Sequence, residues 1–387
     1  MKKISIIACS VLFTSALFAT DVTNPEVVDG YTIADDIKTT GELRPRFDFN
    51  NYDNVSENIM NISNRFRLNA VWNATKNFEV QAEFLNVSNY SNIGEEYSNY
   101  QYVKDTDISR LTIASMKYNF RNADTIINVG RQKLSFNDER LIGTLDWRQL
   151  YRSFEAFYLK NNTFENFVFE FAYSINDLSQ DDDKQMLALN GTYTFDSDNP
   201  EKLNLIVYDY MFEDVGDTLG IILGGKNDFY NFGLNYRGEY SVQIDPSFGS
   251  RTTDSPTYFY LNGGLSIRNF SFDLLYSLQE EGYLTPYSTG HKFNGVTDLP
   301  FLSTDVQTFS GSINYTIKDN ASFSGKLYNF SQDSTGNTLG NEFDLIADYS
   351  FAKNLSVHGE IGLFMADSGS NIAFDTTTAN ISIDYKF

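Results

Sequence analysis

Apolar and polar residues alternate one by one over most of this chain. At its end Ile381, Ile383, Tyr385 and Phe387 fall on one face, with Asn380, Ser382, Asp384 and Lys386 on the other. Residues 343–351 set Phe343, Leu345, Ala347, Tyr349 and Phe351 against Asp344 and Asp348. The stretch 167–175 alternates from Phe167 to Ile175 in the same way, and 309–318 pairs Phe309, Ile313, Tyr315 and Ile317 with Ser310, Ser312, Asn314 and Lys318. A period of two is the signature of a strand with unlike faces. Segments of this kind lie near 40–49, 64–73, 78–87, 109–120, 125–134, 153–160, 167–175, 185–195, 203–211, 219–225, 229–240, 257–268, 270–279, 306–317, 321–330, 342–351, 355–365 and 376–387. They number about eighteen, an even total, with strands of roughly 9–11 residues, as a tilted transmembrane barrel needs. The patterns at 109–120 and 219–225 are the weakest.

The connections predict how these strands are joined. Short ones such as 74–77, 121–124, 268–269, 318–320 and 352–354 alternate with long ones at 88–108, 135–152, 241–256 and 280–305. Short turns on one side and long loops on the other are the arrangement of a transmembrane antiparallel β-barrel, with periplasmic turns and extracellular loops. Closure follows from the solvent: in lipid every backbone N–H and C=O must bond within the protein, so a sheet edge is forbidden. With about eighteen strands the interior exceeds what wall side chains alone fill, so the expected fold class is all-β, a barrel with a lumen.

Composition agrees. Mean hydropathy is only −0.34, yet the chain has 33 Phe and 25 Tyr, as expected where only alternate residues meet lipid. The first residues read as an export signal: Met1-Lys2-Lys3, an apolar stretch from Ile4 to Phe18, and small residues that place cleavage after Ala19. The organisation expected is thus 1–19 signal peptide, 20–38 periplasmic tail and 39–387 barrel. The sole cysteine, Cys9, lies in that signal, so the exported chain has neither disulfides nor thiol chemistry. The formal charge of −22 becomes two units more negative on losing Lys2 and Lys3, which argues against nucleic acid as a partner.

Two motifs refine the expectation. Ile383, Tyr385 and Phe387 resemble the terminal signature that the barrel assembly machinery reads in outer-membrane proteins. The run Val129-Gly130-Arg131-Gln132, then Arg140-Leu141-Ile142-Gly143, then Asp146-Trp147-Arg148 and Arg152-Ser153-Phe154-Glu155, resembles the alginate-export family of outer-membrane porins. The resemblance implies an eighteen-stranded barrel that is usually monomeric, with lipid, lipopolysaccharide and small hydrophilic solutes as partners. It also implies that the loop carrying Arg140, Asp146, Trp147, Arg148 and Arg152 folds inward as a constriction. The chain is shorter than expected for a dedicated alginate exporter.

Arginine is concentrated between 44 and 152. Arg44, Arg46, Arg65 and Arg67 alternate with apolar neighbours. They are expected to face the lumen, because a lipid-facing arginine near the midplane costs about 2–4 kcal/mol. Arg131 is expected there too, together with the acidic Glu79 and Glu83. One reading is a basic wall that attracts small anions, carboxylates or sugar acids. The other is a ladder of ion pairs, with Glu42 and Asp48 among the partners, that stiffens the wall.

Enzymatic chemistry finds little support. His291 lies in a long loop, and His358 with Glu360 reads as a lumenal histidine beside a carboxylate. There is no Gly-x-Ser-x-Gly, phosphate-binding glycine loop or clustered metal ligands. Asp181-Asp182-Asp183 lacks the glycine turn of a calcium loop and reads as solvated loop. No enzyme activity, cofactor or metal is expected. The function expected is a passive pore, with a polysaccharide exporter, a surface adhesin or, last, an outer-membrane hydrolase as alternatives.

Overall fold

The computed structural model describes residues 31–34, 36–53, 58–93, 107–177, 184–199, 201–213, 215–244, 255–317, 320–370 and 373–387. The export signal and Asp181-Asp182-Asp183 lie outside the described residues. The described chain forms β1 (Tyr31–Ala34), β2 (Ile37–Tyr52), β3 (Ile59–Asn73), β4 (Phe78–Ile93), β5 (Ile108–Phe120), β6 (Thr125–Gln132), β7 (Phe154–Phe164), β8 (Phe167–Asp177), β9 (Met186–Thr194) and β10 (Asn204–Phe212). It continues through β11 (Gly216–Asp228), β12 (Gly233–Ile244), β13 (Thr257–Ile267), β14 (Phe270–Gln279), β15 (Val306–Ile317), β16 (Ala321–Gln332), β17 (Thr338–Ala352), β18 (Leu355–Ala366) and β19 (Thr376–Lys386). Each strand pairs antiparallel with the next, and β19 pairs back onto β2, closing an eighteen-stranded barrel. Among the described residues no helix is long and apolar enough to cross a membrane.

Alternation sets the two faces. Phe47, Ile62, Leu68, Trp72, Phe84, Leu274, Leu327, Leu345 and Ile381 are exposed on the outside, where lipid rather than water is the solvent that suits them. The even positions of β2, from Glu42 to Tyr52, face inward, as do Arg65 and Arg67 of β3. All eighteen expected segments become barrel strands. The largest boundary shift is at β4, which runs on to Ile93 rather than ending near 87, and β12 begins at Gly233 rather than near 229. Phe229 and Phe232 stack at 4.7 Å across the turn before it, closed by Phe229 N–H donating to the Phe232 carbonyl at 2.7 Å. Loop length is also less regular than expected. The β9–β10 connection, at the end of short turns, is lengthened by a network in which Asp196 accepts from Asp198 N, Asn199 N and Lys202 Nζ. The β10–β11 connection at the opposite end is short.

The seam shows how chain ends are used. β19 covers β2 from Glu42 to Tyr52, and β1 takes the stretch beyond it, Tyr31 opposite Thr39 and Ala34 opposite Ile37. Between them Phe387 exchanges both backbone hydrogen bonds with Gly41. The Phe387 ring lies across Gly41, where a Cβ would overlap it. This terminal residue therefore completes the ladder, and Gly41 is small because the ring needs the space. Replacing Gly41 by leucine should weaken closure by about 1–3 kcal/mol, the usual effect of overpacking. A lower temperature of heat-modified mobility on gels would register it, and an unchanged transition would show that the ring is dispensable.

The apolar core lies inside the barrel. Leu134, Phe136, Leu141 and Ile142 of loop 133–153, with Tyr283 and Tyr287 of loop 280–305, pack on Phe154, Met186, Tyr208, Tyr210, Phe212, Ile222 and Tyr258 of the wall. A second cluster joins Leu299 and Leu302 to Tyr328, Phe330, Leu339 and Phe364, and a third joins Leu150 and Tyr151 to Leu85 and Val87. The inner wall is therefore not uniformly polar: where long loops fold in, strand and loop bury aromatic surface against each other.

Candidate functional site: two inward loops and an arginine comb

Loop 133–153 enters the lumen and turns sharply there. Asn137, Glu139 and Leu145 adopt φ of 53°, 72° and 57°, a region that costs a bulky residue such as Leu145 on the order of 1–3 kcal/mol. The residues that follow Leu145 are held by their backbone. Arg44 Nη1 donates to the Asp146 carbonyl at 3.2 Å, Arg46 Nη1 to the Trp147 carbonyl at 2.8 Å, and Arg65 Nη1 to the Arg148 carbonyl at 2.8 Å and the Gln149 carbonyl at 3.4 Å. Gln149 answers from the loop, donating to the Arg44 carbonyl at 3.1 Å and to Ser63 Oγ at 2.9 Å. Three guanidiniums thus grip four consecutive carbonyls like a comb. The fork of arginine suits this task, since one side chain serves a carboxylate and a carbonyl at once.

Carboxylates orient the comb. Glu42, 3% exposed, accepts from Arg65 Nε at 2.9 Å and from Arg67, and lies 3.9 Å from Arg44. Arg44 also pairs with Asp384, and Arg46 with Asp48 at 2.6 Å. The basic wall and the ladder of ion pairs are therefore one structure, whose remaining donors hold the loop. Arg67, 22% exposed, and Lys133, 26% exposed, keep part of their surface open. Lys133 lies 2.5 Å from Asp146 and 3.8 Å from the centre of the Tyr151 ring. Burial opposes ionisation of Asp146, but the Lys133 ammonium beside it outweighs this and holds its carboxyl below the usual range.

The structure redistributes the remaining expected residues. Glu79 faces the lumen and pairs with Lys117 at 2.6 Å. Glu83 is 6% exposed and accepts from Thr112 Oγ1 at 2.9 Å and from the Tyr151 hydroxyl, so it is a loop anchor and not open pore lining. Arg131 is a correction. It stands opposite Glu155 and Ala114, in the row of the lipid-facing Val129 and Met116, and it bonds Glu155 at 2.7 Å on the outside of the wall. Gly130, φ 114°, kinks the strand immediately before it, where a Cβ would strike the Ala114 carbonyl. Arg140 lies buried with its guanidinium 4.2 Å from the Phe293 ring and donates to the Tyr258 hydroxyl at 3.0 Å. Arg152 pairs with Asp177 at 3.0 Å and donates to the carbonyls of Gly143 and Tyr287. Trp147 stacks on His291 at 4.1 Å. Ile383 and Tyr385 face outward, and Tyr385 stacks on Phe387 at 5.9 Å.

The stack of Trp147 on His291 reveals what the sequence did not: loop 280–305 also folds in and joins the first loop. Gly143 N donates to the Tyr287 carbonyl at 2.9 Å, Thr289 N to the Glu139 carbonyl at 3.0 Å, and Lys292 Nζ to the Asp138 carbonyl at 2.9 Å. Gly143 lacks a side chain because a Cβ there would overlap Thr289 and Glu139. These pairings span more than a hundred residues, and no local pattern signals them. Among the described residues, no group of three or more His, Cys, Asp or Glu is arranged to hold a metal.

The closed eighteen-stranded barrel has counterparts among solved structures. Its fold is that of the outer-membrane porins. A BenF-like porin from Pseudomonas fluorescens Pf-5 superposes with a TM-score of 0.74 at 12% identity, covering 92% of this chain and 100% of that one. OpdK from Pseudomonas aeruginosa gives 0.71 at 14% identity over 91% and 98%, and OccAB4 from Acinetobacter baumannii gives 0.71 at 15% identity over 91% and 98%. OpdK has also been crystallised with vanillate. The alginate export family model matches residues 31–193, so the expected resemblance is borne out over the segment that carries the comb and loop 133–153. No curated protein matches the chain.

Proposed function

We propose that the protein is a porin of the bacterial outer membrane that passes small hydrophilic anions, carboxylates or sugar acids, down their gradient. The short turns lie in the periplasm and the long loops reach outside. The observation that carries this reading is the comb: Arg44, Arg46 and Arg65 hold a loop inside a closed barrel, leaving Arg67 and Lys133 partly open beside it. A solute meets these cations where the walls are of low dielectric and charge acts strongly. The mechanism is diffusion with electrostatic selection. No bond is made or broken, and the reading assigns the chain no enzymatic role. The vanillate complex of OpdK favours carboxylate solutes over neutral ones.

Planar-bilayer recording tests the proposal. The purified protein should conduct, and the reversal potential in asymmetric potassium chloride should show anion preference. Arg67→Gln with Lys133→Gln should reduce that preference, and added vanillate should block current in the unsubstituted protein more than in the variant. A conducting pore whose ion preference ignores both substitutions would refute anion selection. Absence of conductance would refute the pore.

A further inference from the structure

The arginines of the comb and of loop 133–153 are, with one exception, committed to partners within the protein. The comb answers Glu42, Asp48 and Asp384, Arg152 pairs with Asp177, and Arg140 donates to the Tyr258 hydroxyl. Arg148 is the exception. Among the described residues its side chain has no ion-pair partner and no hydrogen-bond acceptor, and its Nε is buried. The residue as a whole is half-buried, so the part of the guanidinium left to meet a solute is its Nη end.

The frame behind Arg148 is rigid. Its N–H donates to the Leu145 carbonyl at 3.0 Å, and its carbonyl accepts from Arg65 Nη1 at 2.8 Å. Its guanidinium carbon lies 5.4 Å from the centre of the Trp147 ring, within reach of a cation–π attraction, and Trp147 stacks on His291. Loop 280–305 is tied to the wall on either side of that stack, His291 Nε2 lying 3.1 Å from Glu360 Oε1 and Thr297 Oγ1 donating to Glu342 Oε2 at 2.6 Å. Two more charges act on Arg148 without pairing with it: Asp298 attracts it and Arg152 repels it. Beside it Trp147 Nε1 and His291 Nδ1 are also buried without a hydrogen-bond partner among the described residues. Buried polar groups are nearly always matched. Unmatched ones gathered beside a half-open guanidinium, inside a passage, mark a place where a solute completes the bonding.

We propose that Arg148 is the specificity-determining residue of the passage, its guanidinium binding the carboxylate of a permeating solute. The inference rests on the pore reading above and divides the work of selection. Arg67 and Lys133 stay tied to Glu42 and Asp146, so they act on a solute chiefly through charge and favour any anion. Arg148 has both Nη groups to offer. Two parallel N–H donors match the two oxygens of a carboxylate, and a spherical ion such as chloride has no counterpart to them. The site therefore selects by shape among anions that charge has already admitted. A solute held by one fork also leaves readily, as conduction requires.

The experiment is block of potassium chloride current by glucuronate, with glucose as the neutral sugar for comparison. Glucuronate should block the wild-type pore saturably, and glucose should not. Arg148→Lys keeps the charge and loses the fork. It should leave the reversal potential in asymmetric potassium chloride in place yet need about tenfold more glucuronate for equal block, the effect of one lost hydrogen bond to a charged group. Equal block of the wild type, Arg148→Lys and Arg148→Gln would overturn the assignment. Trp147 supplies a readout that needs no current. The other tryptophan, Trp72, lies on the outer face, so in a Trp72→Phe background the emission is that of Trp147. It should shift saturably with glucuronate and not with glucose, and Arg148→Lys should raise the midpoint about tenfold. No shift, or a midpoint indifferent to Arg148→Lys, would overturn the site. A saturable shift in a protein that passes no current would refute the pore reading and leave the carboxylate site standing.

Discussion

Replacing Arg44, Arg46 and Arg65 together by alanine should free the tip of loop 133–153 and widen the passage while leaving the barrel closed. Each guanidinium bonds a loop carbonyl. A hydrogen bond involving a charged group contributes about 1.5–3 kcal/mol, and about 1.4 kcal/mol is tenfold in an equilibrium. Even after discounting Arg44, whose side chain is 17% exposed, the docked population should fall by more than an order of magnitude. Strand pairing from β2 to β3 is a backbone ladder and does not depend on these side chains. The measurable results are larger single-channel conductance, noisier current, and new protease cleavage between Leu141 and Gln149. Arg65→Lys is an informative companion. An ammonium keeps the charge but lacks the fork that meets Glu42 and two carbonyls together, so it should behave more like alanine than like arginine. Unchanged conductance with a protected loop would show that the aromatic cluster around Phe136 and Tyr210 suffices to hold it.

The comb also shows what a sequence can and cannot reveal. The strands were legible because lipid imposes a period of two on every crossing, and even the weak pattern at 109–120 became a strand, Ile108–Phe120. Arg44, Arg46, Arg65 and Arg67 were placed in the lumen by the same alternation, because the penalty for the other face is large. Arg131 is the exception, because Gly130 before it kinks the strand without interrupting its alternation. The register shows the alternation continuing through the kink and turning Arg131 outward, where Glu155 neutralises it. That Arg65 would find the Arg148 carbonyl was not legible, since a backbone acceptor carries no residue identity. The role of loop 280–305 was hidden for a related reason. Its ties, Thr297 to Glu342 and His291 to Glu360, join residues separated by 45 and 69 positions. The nearest local signals were Gly290 and Gly295, which in isolation read as ordinary loop glycines.

The most destabilising single change should be Arg152→Ala. Arg152 is 2% exposed and its partner Asp177 is fully buried, their Nε–Oδ2 distance being 3.0 Å. The same guanidinium serves the carbonyls of Gly143 and Tyr287 and lies 5.4 Å from the Tyr287 ring, so one side chain joins β8 and both inward loops. Removing it takes the ion-pair partner from a buried carboxylate and leaves carbonyls from two loops without this donor, a loss of about 3–5 kcal/mol by analogy with other broken buried pairs. Much of that loss measures the buried Asp177 charge left without its arginine and not the worth of the pair. The double variant Arg152→Met with Asp177→Leu should therefore recover a large part of the stability, since apolar replacement of both partners is often neutral or better. It should not recover the junction of Gly143 with Tyr287, because neither new side chain can donate to those carbonyls. Thermal unfolding in detergent would separate the two effects from loop release read by conductance. If Arg152→Ala melted like the wild type, the buried Asp177 charge would not depend on this arginine, and the joint between the loops would rest on their backbone pairing alone.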